Sequence, residues 1–306
     1  MIILFFSAIM YCVIIVYVCK GESGKMIDYI KSVLYGIVQG LTEFLPVSSS
    51  GHLAAFQNIF GSVGVPEVTF TLLLHVGTLA AVLLVYWRDV IDLIKSFFSV
   101  IGKLLTGKFR FTLLNDGEKF FCLLFVALIP LVIGALLENT VEFLSGYTFV
   151  VGILWLINGT IFILSENAAV KQKEFDEIKP SHAFRVGFFQ LFAILPGISR
   201  SGMTITGGVL HGFKRDFAVK FSFILSIPAI LGSTVITLLK DWDAISFDSS
   251  TGIILAGVAA AFISGLCAIK LLQYITNKHN FKVFAYYCFA AGILAICYDI
   301  VTRIIL

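Results

Sequence analysis

Charge is what this chain has least of. Of its 306 residues, 13% are charged, against roughly 25% in a soluble domain, and the mean hydropathy is +0.98. That excludes a soluble globular protein and assigns the chain to a bilayer. A formal net charge of +3 is too small for a nucleic-acid binder, so no nucleic-acid partner is expected. The six cysteines (Cys12, Cys19, Cys122, Cys267, Cys288, Cys297) lie in apolar stretches with no CxxC or Cys/His spacing. They read as small buried hydrophobes rather than as a disulfide frame or metal site. Nucleotide-binding glycine loops and haem-attachment motifs are also missing.

What is abundant is apolar sequence in span-length blocks. A bilayer core takes about 20 helical residues. Uncharged runs cover Val68 to Trp87, Phe120 to Leu137, Phe143 to Ser165, Phe221 to Leu239, Ser249 to Ile269, and Val283 to the C-terminus. The last holds Asp299 and Arg303 near its far end, within reach of the interface. Residues 27–52 and 182–212 differ: Gly, Pro and Ser break them, and each carries charge. Irregular backbone at membrane depth is tolerated only where protein buries it or it lines a wet cavity, so both read as re-entrant helical hairpins.

The fold expected is an all-α polytopic membrane protein with six transmembrane helices and two re-entrant hairpins in an inverted-topology repeat. One membrane domain spans 26–306, with halves of about 26–165 and 182–306. Residues 1–25 form an apolar extension, read as an extra N-terminal transmembrane helix or as sequence upstream of a start at Met26. It lacks the positive n-region and cleavage site of a signal peptide. Arg88, Lys95, Lys103, Lys108, Arg110 and Lys119 mark a cytoplasmic segment, and the IDLIKSFFSVIGKLL pattern within it suits an amphipathic helix on the membrane surface. The loop Glu138 to Glu142 and the one holding Asp241, Asp243 and Asp248 should then lie outside. Lys171, Lys173, Lys179 and Arg185, and later Lys278 and Lys282, should lie inside.

Two polar tips stand out against this background. Gln39 to His52 reads QGLTEFLPVSSSGH, and Gln190 to Gly202 reads QLFAILPGISRSG. Each has a glutamine near its start, then a proline, then a Ser/Gly-rich tip; Pro46 and Pro196 lie 150 positions apart. Related halves with interrupted apolar segments build a site where the tips meet. A carboxylate among Leu41, Phe44 and Leu45 is a functional residue by default, and Gln39 shares its helix face. Ser48, Ser49 and Ser50 follow a helix break and make an anion cradle. Arg200, between Ser199 and Ser201, brings a planar fork matched to phosphate oxygens. The alternative role for Arg200 is a structural partner of Glu43. His75 and His211 read as packing or hydrogen-bonding residues.

The motifs GIVQGLTEFLPVSSSGHL (Gly36 to Leu53), PGISRSGMT (Pro196 to Thr204) and FSFILSIP (Phe221 to Pro228) closely resemble the bacterial undecaprenyl-diphosphatase family, the bacitracin-resistance phosphatases. The resemblance runs from Met26 to the C-terminus. It implies hydrolysis of undecaprenyl diphosphate, a membrane lipid, to undecaprenyl phosphate and inorganic phosphate in the bacterial plasma membrane, with the active site opening outward. The family's acidic motif falls on Gln39 and Glu43, its Ser-Ser pair on Ser48 and Ser49, its histidine on His52 and its arginine on Arg200. Since the first acidic position is Gln here, Glu43 must carry the charge.

Phosphate binding is expected at Ser48, Ser49, Ser50, Ser199, Arg200 and Ser201, and a divalent cation (Mg²⁺ or Ca²⁺) at Glu43 and Gln39. The nucleophile is Ser49 or His52. The imidazole is slightly preferred, because it attacks without a separate base. The rival reading is a secondary transporter or flippase for a phosphorylated lipid, since broken helices in inverted halves are also transporter architecture.

Overall fold

Twelve α-helices are present among the described residues. The computed structural model describes residues 24–134, 138–168, 170–240, 251–278 and 281–305. The expected N-terminal extra helix and the acidic segment around Asp241, Asp243 and Asp248 lie outside these ranges.

The first hairpin is α1 (Lys25–Phe44) and α2 (Ser49–Phe60), broken at Pro46. Three spans follow: α3 (Glu67–Val85), α5 (Asp116–Gly134) and α7 (Thr148–Asn167). Between them lie α4 (Trp87–Leu105) and the short α6 (Glu138–Ser145). The second hairpin is α8 (Pro180–Phe192) and α9 (Arg200–Leu210), followed by the spans α10 (Arg215–Lys240), α11 (Thr251–Lys278) and α12 (Lys282–Ile305). Six helices are thus long and apolar enough to cross a membrane. Three spans separate the hairpins, and an odd number brings the second in from the side opposite the first.

Two boundaries differ from the sequence reading. The run from Phe143 to Ser165 is divided at Gly146, with α6 occupying the expected acidic loop and α7 starting at Thr148. The fifth span continues past Ile269 to Lys278, because the single charge of Lys270 does not interrupt helical hydrogen bonding.

The two halves are interlocked. α1 packs on α11, and α8 packs on α5, so each hairpin rests on a span of the other half; α7 and α12 pack directly together. Small residues allow this approach. A Cβ at Gly40 would overlap Ser264 Oγ and the Ala261 carbonyl of α11, and one at Gly187 would overlap the Ala127 backbone of α5. Polar contacts add to the first of these seams: Ser32 Oγ donates to the Ile253 carbonyl at 2.5 Å across 221 residues of chain.

Helix α4 reverses the usual sense of an amphipathic helix. Part of its polar face turns to the bundle, where Ser99 and Lys103 donate to Glu118 at 2.6 Å each and Asp89 pairs with Lys220 at 2.6 Å, while Asp92 and Lys95 pair in the open. Ile94, Phe98 and Leu105 are exposed on the other side. An apolar face turned outward is stable only against acyl chains, which agrees with an interfacial helix.

Candidate active site

Pro46 follows the last turn of α1 and cannot donate to it, whereas α8 ends at Phe192 and tightens through three further turn bonds before Pro196. The chain then restarts at Ser49 and Arg200, so two fresh helix N-termini meet in the interior. Backbone bonds join the tips: Gly197 N–H donates to Ser48 Oγ at 3.1 Å, and Ser201 Oγ donates to the Leu45 carbonyl at 3.2 Å. Ser48 has φ 73°, the only positive value at a non-glycine position among the described residues. Strain of this kind persists where the surroundings over-determine it, commonly at functional sites.

Glu43 is the hub. Its Oε1 accepts from Arg200 Nη2 at 2.6 Å; its Oε2 accepts from Ser49 Oγ at 2.7 Å and from Gln39 Nε2 at 3.0 Å. The carboxylate is 7% exposed, so a charge there requires partners of this kind. His75 adds a fourth group, with Nε2 at 3.8 Å from Glu43 Oε2. The Thr71 carbonyl can only accept, so His75 Nδ1 donates to it at 2.8 Å, which leaves Nε2 turned to the carboxylate.

A cavity of about 580 Å³ opens from this cluster, within the roughly 300–1,000 Å³ of small-ligand pockets. Glu43, Ser48, Ser49, Ser50, His75, Gln190 and Arg200 supply the polar lining at its inner end, and Ser233 and Thr237 add hydroxyls from α10. Its apolar walls come from α5 (Leu128, Leu131, Val132) and α10 (Pro228, Ile230, Ile236). Neighbouring Ile133, Leu231 and Val235 are exposed, so the flanks of this cleft face lipid. The arrangement seats an anionic head beside a cation and hydroxyls, and an apolar tail between two spans.

The residues singled out in the sequence separate into two layers. Glu43, Ser48, Ser49, Ser50 and Arg200 line the cavity. Gln39 sits behind Glu43, 0% exposed. Ser199 and Ser201, each 1% exposed, are outside the lining: Ser199 Oγ caps α9 by accepting from Gly202 N–H at 3.1 Å, and Ser201 ties the tips together.

His52 is also outside the lining. Its Nδ1 donates to the Ser48 carbonyl at 2.7 Å, and its Nε2 is engaged by the Tyr287 hydroxyl. The ring stacks on Tyr287 and meets the edge of Trp155. Trp155 Nε1 in turn donates to the Val47 carbonyl at 2.9 Å, and Asn158 Oδ1 accepts from Ser199 N–H at 3.3 Å. Spans α7 and α12 therefore buttress both tips from behind.

His75, Gln190 and this buttress were not assigned to the site from sequence. A lone polar residue in an otherwise apolar span, as His75 is, was the available signal.

The family model described as "Bacitracin resistance protein BacA" matches residues 32–294. A relative from Alkaliphilus metalliredigens named undecaprenyl-diphosphatase is 41% identical over 274 residues, covering 88% of this chain and 98% of the relative. One of the same name from Methanobrevibacter smithii is 41% identical over 270 residues, 87% and 96% of the two chains. Another, from Parabacteroides distasonis, is 35% identical over 273 residues, 88% and 97%.

Proposed function

The chain belongs to the bacitracin resistance protein BacA family, and from that premise we propose how its cavity performs the reaction. The protein is an undecaprenyl-diphosphate phosphatase, which hydrolyses undecaprenyl diphosphate to undecaprenyl phosphate and inorganic phosphate. The carrier is thereby returned to wall-polymer synthesis. One observation carries the mechanism: Glu43 joins Ser49 from one tip to Arg200 from the other.

The prenyl tail lies along α5 and α10 while the diphosphate enters the polar end. Arg200 and the first backbone N–H groups of α2 receive its oxygens, as helix N-termini do for anions. Ser49 is the nucleophile in preference to His52, because Ser49 lines the cavity with a base at 2.7 Å, whereas both His52 nitrogens are engaged behind it. Glu43 takes the Ser49 proton as Oγ bonds to the distal phosphorus. The bond from that phosphorus to the bridging oxygen breaks, and undecaprenyl phosphate departs with the proton. Water then attacks the phosphoserine and gives one proton to Glu43, the bond from phosphorus to Ser49 Oγ breaks as Glu43 passes that proton to the serine oxygen, and inorganic phosphate leaves with the water's other proton. His52 is a positioning residue that holds the Ser48 carbonyl.

A divalent cation, Mg²⁺ or Ca²⁺, fits the donor chemistry at Gln39 and Glu43. Gln39 Oε1 is buried without a hydrogen-bond partner, and Glu43 Oε1 takes a single donor, so oxygens remain for a hard cation alongside the substrate's own. When bound it would neutralise charge on the diphosphate.

The protein is a multi-pass membrane protein. We place the mouth of the cavity on the outer side of the plasma membrane. Gly134, Ile236 and Thr237 line it toward the ends of α5 and α10 remote from the Lys/Arg-rich segments, and Val141 of the intervening α6 lines it beside them.

Phosphate release from undecaprenyl diphosphate by the pure protein in detergent tests the reaction. Absence of release from folded protein would remove it. For orientation, single-cysteine probes at the exposed Gly146 and Ser181 should be labelled by an impermeant reagent in intact cells at 146 and not at 181. The reverse pattern would put the mouth inside.

A further inference from the structure

The unsatisfied polar atoms of this protein are concentrated in one place. Five buried side-chain atoms lack a hydrogen-bond partner among the described residues, and four belong to Gln39, Gln190 and Arg200. Gln190 accounts for two of them: neither its Nε2 nor its Oε1 has a partner, although the residue is 1% exposed. Buried amides are normally satisfied, and one that is not calls for a ligand or a functional reason. Gln190 lines the same cavity as Arg200 and Ser49.

Its position is fixed tightly. One turn earlier, Gly187 lets α8 sit directly on the Ala127 backbone of α5. Three and four residues later, Ala193 and Ile194 form part of the apolar lining. The amide therefore belongs to a part of the lining supplied by α8, where the apolar wall begins, and not to the tip that holds Ser49. We propose that Gln190 binds the phosphate that stays on the lipid, its Nε2 donating to a phosphate oxygen and its Oε1 accepting from a bound water. Arg200 and Ser49 hold the departing phosphate, so the two halves of the diphosphate are read by different residues. This rests on the diphosphatase reading of the site and adds to it a recognition residue for a prenyl monophosphate.

Gln190→Leu removes the amide and keeps the volume. With farnesyl diphosphate as substrate, KM should rise at least about tenfold, the effect of losing one hydrogen bond to a charged group, while kcat changes less than about threefold. The inhibition constant of farnesyl monophosphate should rise in parallel, and that of inorganic phosphate should stay as in the wild type. The melting temperature should hold or increase, because an unpaired buried amide has been replaced by an apolar group. Gln190→Asn, which keeps the amide, should recover part of the affinity.

Unchanged KM and monophosphate inhibition would overturn the proposal. So would a fall in melting temperature with kcat and all inhibition constants altered together, which is the signature of a structural role. Should the wild type release no phosphate, the diphosphatase reading falls on its own. Calorimetric binding of farnesyl monophosphate to wild type and Gln190→Leu then still decides the Gln190 assignment, equal affinities refuting it.

Discussion

Replacing Arg200 by lysine keeps the charge and removes the fork. In the structure one prong, Nη2, donates to Glu43 Oε1 at 2.6 Å, while the other, Nη1, is buried with no partner. The guanidinium can hold the catalytic carboxylate and a phosphate oxygen at once, in one plane. A lysine ammonium reaches one of the two well. Its most favourable use is to stay with Glu43, since an unpaired buried carboxylate would destabilise the fold by about 3–5 kcal/mol. The phosphate then loses its donor. Removing a preorganised donor to transition-state charge typically costs about 2–4 kcal/mol, which is roughly 30- to 1,000-fold in kcat/KM.

Arg200→Lys should therefore fold normally and lose most of its activity, whereas Arg200→Met should lose stability as well. Phosphate release from undecaprenyl diphosphate in detergent, with melting curves on the same preparations, measures both. If Arg200→Lys works within about threefold of the wild type at equal stability, the free prong does not hold the reacting phosphate and the argument fails.

Ser49→Ala should abolish turnover with little change in stability, whereas His52→Ala should lower the melting temperature and leave residual activity; a fully active Ser49→Ala protein would move the nucleophile elsewhere. Gln39→Glu should be tolerated, and EDTA should suppress wild-type activity in a manner reversed by Mg²⁺ or Ca²⁺, while full activity in EDTA would remove the cation. Gly40→Ala should destabilise the protein by at least about 1–3 kcal/mol, because its methyl would meet Ser264 and the Ala261 carbonyl; an unchanged melting temperature would contradict the close α1–α11 seam.

The spans were legible because each is an uncharged block of membrane length, and the hairpins because Pro46 and Pro196 break such blocks beside polar residues. Glu43 and Arg200 stood out for the same reason: charge within apolar sequence is conspicuous. The layering of the site was not legible. Ser48 to Ser50 and Ser199 to Ser201 look alike as strings, yet Ser49 lines the cavity while Ser199 and Ser201 tie backbone together. Which hydroxyl turns inward depends on how the two tips rotate when they dock, and that is decided by Trp155, Asn158 and Tyr287 from distant spans. His52 neighbours the serines in sequence, yet its ring packs behind the tip against Tyr287 and Trp155. His75 hydrogen-bonds Thr71 as a lone histidine in a span is expected to, and its nearness to Glu43 comes from the packing of α3 against the first hairpin.

The interlocking of the halves has a bearing on how the protein is made. The first hairpin's support is α11, and the Ser32 to Ile253 contact joins residues 221 positions apart. At about 5–20 residues per second of synthesis, roughly 10–45 seconds pass between the appearance of the two partners. For most of that interval α1 and α2 carry Glu43 and the serine tip without the arginine from α9, and for all of it without the seam at Gly40. Seating of the first hairpin is completed only when the second half arrives, and a chain truncated before α11 lacks the main surface that α1 packs on.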